Sequence, residues 1–142
     1  MIRFLGEERA QSLVEFAFVL PILLLVVTGL FDLARAVWQE NTLAYAAREG
    51  TRYAIVHGSA NTVLPLGPTD PSDATIGAVV RAAAIGVPNI TVATAWPLGS
   101  NDRGYPVSVD ASAPFVPLPS QYLLGGTFSI TLRGGSMLVI QR

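Results

Sequence analysis

The chain has 142 residues, which is enough for one compact domain and a membrane segment but short for two independent cores. Hydrophobic residues make up 51% of it and charged residues only 13%, and ten acidic residues are nearly balanced by nine arginines, with no lysine. Because the arginines are scattered, no basic patch is available for phosphates, which argues against nucleic-acid binding. The lack of cysteine excludes a disulfide framework and a thiolate metal site.

The first predicted element is an apolar helix near the N-terminus. Residues 16–31 form an uncharged run, FAFVLPILLLVVTGLF, and extending it back to Leu13 adds Glu15 as the one charge. A hydrocarbon core of ~30 Å needs about 20 such residues at a rise of ~1.5 Å each. The helical pattern continues past the run, whereas a cleaved secretory signal would change character there. We therefore predict a membrane-spanning segment over residues 11–31, with a bare signal anchor as the plain alternative.

Two residues interrupt the regularity of this apolar helix. Pro21 removes one backbone hydrogen bond, so we expect a bend there. Glu15 places a carboxylate at the start of the span, where an ionised side chain is costly unless it reaches water or a partner. Snorkelling to the membrane interface explains Glu15 without any function. A buried partner for its carboxylate is the functional alternative.

The arginines that flank the span bear on its orientation. Arg3, Arg9 and the α-amine precede the span, and Arg35 follows it. The excess of positive charge before the span favours a cytoplasmic N-terminus under the positive-inside rule. We therefore expect the rest of the chain to lie outside the cytoplasm.

The same helix is predicted to continue as an amphipathic segment over residues 32–57. From Phe31 to Val56 there is no proline, and Gly50 is the only glycine. Side chains at helical spacing become smaller along this segment, which permits close packing against the chain's own distal domain, against neighbouring helices, or against both at different depths. This stripe consists of Leu30, Leu33, Val37, Ala44, Ala47, Thr51 and Ala54.

The residues around Glu15 resemble a processing site of type IV prepilin-like proteins. The stretch is AQSLVEF, from Ala10 to Phe16. In that family a membrane peptidase cuts before a helix whose fifth mature residue is Glu, followed in the Flp/Tad branch by an aromatic residue. A cut between Ala10 and Gln11 makes Glu15 fifth and Phe16 sixth, and residues 1–10 become a leader. The chain departs from the family at Ala10, since the residue before the cut is usually Gly.

A second block makes the chain similar to the TadE-like proteins of the Flp/Tad pilus system. The block is AAREGTRYA, from Ala46 to Ala54, and it lies downstream of the VLP that ends at Pro21. The resemblance is strong over residues 9–56 and loose beyond them. It implies processing at Ala10 and Gln11, assembly through Glu15, Phe16 and Pro21, and helix packing through Arg48, Glu49, Gly50, Arg52 and Tyr53.

The resemblance implies a minor pseudopilin, or a pilin-like filament subunit, in the bacterial inner membrane or in an extracellular pilus. Its expected partners are a prepilin peptidase, other Tad pilins and pseudopilins, the inner-membrane assembly platform, the lipid bilayer and further copies of itself in a homo-oligomer or filament. In a filament, the carboxylate of Glu15 can neutralise the new α-amine of Gln11 on a neighbour and so fix the register. Adhesion is a conceivable consequence.

An interpretation from another class is an uncleaved, membrane-anchored binding module for an envelope or secretion partner. Aromatic side chains at Trp96, Tyr105 and Tyr122 could line its binding surface, although core and membrane-interface roles are commoner for such residues. The two interpretations differ at Ala10, because only the first requires a new N-terminus there.

The distal region, residues 58–142, is predicted to be extracytoplasmic and α+β. Gly58 ends the long helix, and Asp73 caps a short helix from Ala74 to Ile85. Strands are predicted over residues 89–96, 105–113, 127–133 and 136–141, the last two joined as a hairpin about Gly134 and Gly135. The expected fold is α+β: a long pilin-like helix packed, through Val37, Leu43 and Ala47, against a small antiparallel sheet with one short helix.

No pattern in the sequence points to an enzyme. His57 is the only histidine, and although Ser59 and Asp70 could be placed around it, no nucleophile elbow orders these side chains. Asp70 and Asp73 lack the alternating acidic ligands of a calcium loop. We therefore expect a protein without catalytic activity, cofactor or metal.

Overall fold

The computed structural model of the chain describes residues 4–68, 72–123, 125 and 128–141. Two compact units are present, Met1–Arg35 with Val116–Phe128 and Ala36–Phe115 with Ser129–Arg142. The elements in chain order are α1 (Phe4–Val56), α2 (Ser72–Ala83), β1 (Thr91–Ala95), β2 (Pro106–Phe115), α3 (Leu118–Leu123) and β3 (Ile130–Val139).

The long helix α1 runs for 53 residues and continues through Pro21. The continuous helix predicted over residues 11–57 is confirmed to within one residue at its C-terminal end, and the chain is already helical at Phe4. At ~1.5 Å per residue, α1 is about 80 Å long. It contains a stretch long and apolar enough to cross a membrane. Every residue from Ala10 to Phe31 is exposed, apart from the half-exposed Thr28.

The sheet of the second unit has three antiparallel strands in the order β1-β2-β3. The central strand β2 forms five residue pairs with β1 and ten with β3. Alternate residues of β2 point into the core, as the two-residue period of a strand requires. These buried residues are Val107, Val109, Ala111, Ala113 and Phe115. The predicted α+β class, with a long helix on a small antiparallel sheet, is confirmed.

The core of this unit brings together the sheet, α2 and the C-terminal part of α1. From α2 it takes the fully buried Ile76 and Val80. From α1 it takes mainly small side chains, which lets the helix backbone lie close to its neighbours. The α1 residues in the core are Leu43, Ala46, Ala47 and Ala54, with Thr51 and Gly50 buried beside them.

The prediction of a hairpin about Gly134 and Gly135 is wrong. Both glycines lie inside the single ten-residue strand β3, paired with Ala111 and Asp110 of β2. A Cβ on Gly134 would lie 2.5 Å from the Cα of Ala44. Gly134 is therefore required by the close approach of the α1 backbone to the strand rather than by a turn. The sheet consequently has three described strands, not four.

The distal region contains two short helices, whereas only one was predicted. The predicted Ala74–Ile85 helix is present as α2, and the positive φ of 81° at Gly86 follows its end. The cap proposed at Asp73 lies outside the described side chains. The additional helix, α3, lies in a proline-rich stretch between two of the predicted strands. Pro119 is in its first turn, where a proline has no helical hydrogen bond to lose.

Of the three residues predicted to pack α1 against the domain, two are buried and one is exposed. Leu43 and Ala47 are fully buried, as predicted. Val37 is 51% exposed, so its prediction is wrong. Because successive residues rotate by about 100°, Val37 lies roughly 200° around the helix from Gln39, which is buried.

Candidate functional site

The predicted processing and assembly residues lie on the exposed N-terminal part of α1. Ala10, Gln11, Glu15 and Phe16 are all exposed. The side-chain amide of Gln11 donates a hydrogen bond of 3.3 Å to Oε1 of Glu15, one turn further along the helix. The partner of the Glu15 carboxylate is thus a neutral group of the same chain, and the carboxylate is accessible to a second molecule.

The bond between Ala10 and Gln11 lies within the continuous helix. A cut at this bond would create an α-amine at Gln11 and place Glu15 in the first turns of the shortened helix. Negative charge is favoured there, because the unpaired N–H groups and the helix dipole make this end positive. The geometry is therefore compatible with the register pairing that the prepilin resemblance implies.

Pro21 lines an apolar groove between α1 and α3. The groove has a volume of about 450 Å³. Neither the groove nor α3 was predicted, although the sequence carries a signal for both: from Ala111 to Leu132 no residue is charged. The lining residues are Pro21, Leu24, Leu25 and Thr28 of α1 and Leu118, Pro119 and Tyr122 of α3.

Asp32 attaches the start of α3 to α1. Its side chain is nearly buried, and its Oδ2 accepts a hydrogen bond of 2.7 Å from the backbone N–H of Leu118. Its Oδ1 is 3.1 Å from Nη1 of Arg35, whose Nη2 donates to the carbonyl of Val116 at 3.4 Å. A buried carboxylate needs such partners, and the first N–H groups of a helix need an acceptor. Sequence reasoning missed Asp32, whose signal was an acid at the end of the apolar run with an arginine three residues later.

The second sequence block, residues 46–54, divides between two faces of α1. On the inner face, a Cβ on Gly50 would contact Val80 and lie 3.3 Å from Cγ1 of Val109. On the outer face, Arg48 and Arg52 are exposed, and Nη1 of Arg52 is 3.4 Å from Oε1 of Glu49. Gly50 is thus placed for packing, while the charged residues of the block remain available to solvent or a partner.

The charged face of this block borders an open groove of about 460 Å³. The groove lies next to β3, which pairs with β2 alone in the described sheet and so forms one of its edges. Edge strands offer unpaired backbone groups to other chains. The groove is lined by Tyr45, Arg48, Glu49, Arg52, Ser136 and Leu138.

Residues 10–52 match the family model described as TadE-like protein. This chain carries a TadE-like N-terminal region. The match confirms the resemblance noted in the sequence, and it lies entirely within α1, from the predicted processing site to Arg52. No curated protein and no solved structure matches the chain.

Beyond the TadE-like region, the aromatic and histidine side chains have structural contacts. His57 stacks on the half-buried Tyr53 with ring centroids 4.1 Å apart, and its Nδ1 lies 2.8 Å from the carbonyl oxygen of Tyr53. Trp96 packs against the core, whereas Tyr105 is 38% exposed and Tyr122 lines the apolar groove.

Outside the TadE-like region, Asp102 is an exposed acidic side chain that accepts hydrogen bonds from hydroxyl groups. Hydrogen bonds from Ser100 and then Ser59 lower the pKa of the exposed Asp102 below its ordinary value. Asp70, considered with His57 and Ser59, lies outside the described residues. Within the described ranges, no group of three or more His, Asp or Glu side chains could hold a metal ion.

Proposed function

We propose that this chain is a minor pseudopilin, or a pilin-like filament subunit, of a Tad-type pilus or secretion apparatus. The observation that carries the proposal is the TadE-like match over residues 10–52, on a helix whose first part is exposed and apolar. The role requires a helix that assembles and a domain that the helix carries. It requires no catalytic group, cofactor, metal or nucleic acid.

Membrane anchoring through residues 11–31 is the first part of the proposal. Each large apolar side chain left in water forgoes roughly 1.5–3 kcal/mol of burial free energy. Phe18 is 73% exposed and Leu13 is 70% exposed, and the other large apolar side chains of the run are at least 37% exposed. A bilayer, and later neighbouring helices in a filament, would cover these side chains. In this proposal the N-terminus is cytoplasmic, and the α+β domain lies outside the inner membrane.

Assembly through Glu15 is the second part. A prepilin peptidase removes residues 1–10, and Glu15 of an incoming subunit pairs with the α-amine of Gln11 on a neighbour. The exposed carboxylate accepts a hydrogen bond from the neutral Gln11 amide, and a charged amine on a neighbour would replace this donor. In a low-dielectric environment, the pairing fixes axial register more than it adds stability. The partners are then other pilins and the assembly platform.

The second candidate function is an uncleaved anchor that carries a binding module. Ala10 in place of the usual Gly favours it, and so does the groove lined by Arg48 and Arg52 beside the edge strand β3. A partner strand with acidic side chains would suit such a groove.

The mass and N-terminal sequence of the protein distinguish the two functions. The chain is expressed with its cognate prepilin peptidase, and a strain with an inactive peptidase serves as the control. A peptidase-dependent chain that begins at Gln11 supports the pseudopilin. Met1 retained in both strains supports the anchored module. An Ala10→Gly variant sharpens the experiment, since faster cleavage of this variant would identify Ala10 as the residue that slows processing.

A further inference from the structure

We propose that α3 and its flanking residues enter the extracytoplasmic leaflet of the bilayer beside the span, and that lipid acyl chains fill the groove between α3 and α1. This inference rests on the proposed membrane anchoring of α1. It adds a second membrane-contacting element, more than 80 residues beyond the span in the sequence.

The depth of α3 in the bilayer follows from its hydrogen bond to Asp32. Asp32 comes directly after the uncharged run that ends at Phe31, and it holds the N–H of Leu118. The groove extends from Thr28 back to Pro21, which lies about 16 Å from Asp32 at ~1.5 Å per residue. Since the uncharged run accounts for most of a ~30 Å hydrocarbon core, these groove residues lie at lipid depth. The part of α3 that contacts them must lie there too.

The composition of the segment suits lipid. No charged residue occurs from Ala111 to Leu132, so residues 116–128 bring no ionised side chain with them. Tyr122 is 78% exposed and Phe128 is 54% exposed, and both present large aromatic surfaces. Such exposure is unfavourable in water, whereas aromatic side chains are enriched near the surface of a bilayer.

Several polar groups of this segment are paired internally. The buried hydroxyl of Ser120 donates to the carbonyl of Phe128 and accepts from its N–H, both at 3.1 Å. The N–H of Gln121 donates to the carbonyl of Pro117 at 2.9 Å. In lipid, a backbone group without a partner costs several kcal/mol, so a short non-spanning segment needs this kind of pairing.

The charged pair marks the upper limit of insertion. Asp32 and Arg35 lie at the end of the apolar run, and the Arg35 side chain is 45% exposed. A guanidinium at this level can reach lipid phosphates and water while it holds the carbonyl of Val116. The pair therefore anchors the segment at the headgroup level, and α3 extends from there toward the acyl chains.

Single-cysteine spin labelling of the full chain tests the inference, because the chain has no cysteine of its own. Tyr122→Cys reports on α3, Leu23→Cys on the span, and the exposed Arg103→Cys on water. Each labelled protein is reconstituted in phosphatidylcholine and phosphatidylglycerol nanodiscs. Collision with oxygen, which concentrates in lipid, is compared with collision with a water-soluble nickel chelate. Phe128→Cys repeats the measurement at a second site should the Tyr122 variant fold poorly.

A severalfold higher oxygen-to-nickel ratio at Tyr122 than at Arg103, approaching the ratio at Leu23, is the expected result. If Leu23 reports lipid and Tyr122 reports water, the inference fails while the membrane anchor stands. If Tyr122 is shielded from both reagents and Leu23 still reports lipid, protein such as a second copy of the helix covers the groove, and lipid is not its occupant. If Leu23 itself reports water, the anchor fails, and the inference fails with it.

Discussion

Two parts of α1 differ in the size of their apolar side chains and in what covers them. Residues 16–31 are bulky and exposed, whereas residues 43–54 put mainly small side chains into a protein core. Fluid lipid can pack around large side chains of any shape. A helix that packs on a sheet does so at a fixed distance, which limits the size of its side chains there. Side-chain size along one helix therefore indicates the partner of each part in addition to hydropathy.

The largest effect on stability is expected for a glycine that contacts the sheet-packed part of α1, and a glycine in the exposed part serves as its control. Gly134→Ala should destabilise the α+β domain by about 1–3 kcal/mol, because the new Cβ meets the backbone of Ala44, which cannot rotate away. Gly29→Ala is the matched control, since nothing lies within 4 Å of its Cβ. Thermal unfolding of the full chain in detergent, followed by tryptophan fluorescence, measures both. Equal melting temperatures for the two variants would refute the close-approach explanation.

Asp32 directly follows the exposed part of α1, and its substitution should release α3 from this helix. Asp32→Ala leaves the N–H of Leu118 and the guanidinium of Arg35 without this acceptor. We expect a local loss of about 1–3 kcal/mol, seen as faster amide hydrogen exchange at residues 118–123. Glu40→Ala, at an exposed acid of the same helix, is the control and should leave exchange there unchanged. Slow exchange of α3 in both variants would show that the Asp32 contact is dispensable.

Glu15 tests whether the apolar part of α1 is more than an anchor. In Glu15→Leu, the folded domain should change in stability by less than about 0.5 kcal/mol, as for other exposed positions. Membrane insertion should be retained, because a costly charge has been removed from the span. Pilus assembly, followed by electron microscopy in a complemented deletion strain, should be lost. Normal assembly with Glu15→Leu would favour the anchored binding module, and Glu15→Asp provides the charge-conserving control.

The smallest effect is expected on the exposed side of the sheet-packed part. Arg52→Ala removes an ion pair of 3.4 Å with Glu49, in which the Arg52 side chain is 70% exposed. We expect a loss of only about 0.2–0.5 kcal/mol, reduced further by salt. Chemical denaturation at low and high salt measures it. A loss above 1 kcal/mol would show that the Arg52 face packs against the domain.

The sequence predicted those elements whose causes are local. The period of α1, the glycine after α2 and the alternation of β2 all lie within the segments that they define. Their boundaries agree with the structure to within a few residues. The processing and assembly residues rest on short motifs of the same local kind, and all of them lie in the region that the TadE-like match covers.

The elements that the sequence did not predict depend on distant residues. Gly134 follows the rule for a hairpin turn until Ala44 of α1 is known to lie against it. The N–H of Leu118 donates to a side chain 86 residues earlier, so the uncharged stretch around α3 does not predict the helix by itself. The groove at Pro21 is formed by α1 and α3 together, so neither segment predicts it alone. Pairwise contacts across the chain, rather than residue types, determine these features.

The contact of β3 with α1 has a consequence for the synthesis of the protein. The N–H of Gln141 donates to the carbonyl of Ile55, and Gly134 lies against Ala44, so the last strand completes a core that the first helix begins. A ribosome that adds about 5–20 residues per second leaves several seconds between the synthesis of α1 and the synthesis of β3. During that interval the small-residue face of α1 lacks its final covering strand. Nascent chains that stop before β3 should accordingly be degraded or retained by chaperones rather than released as folded domains.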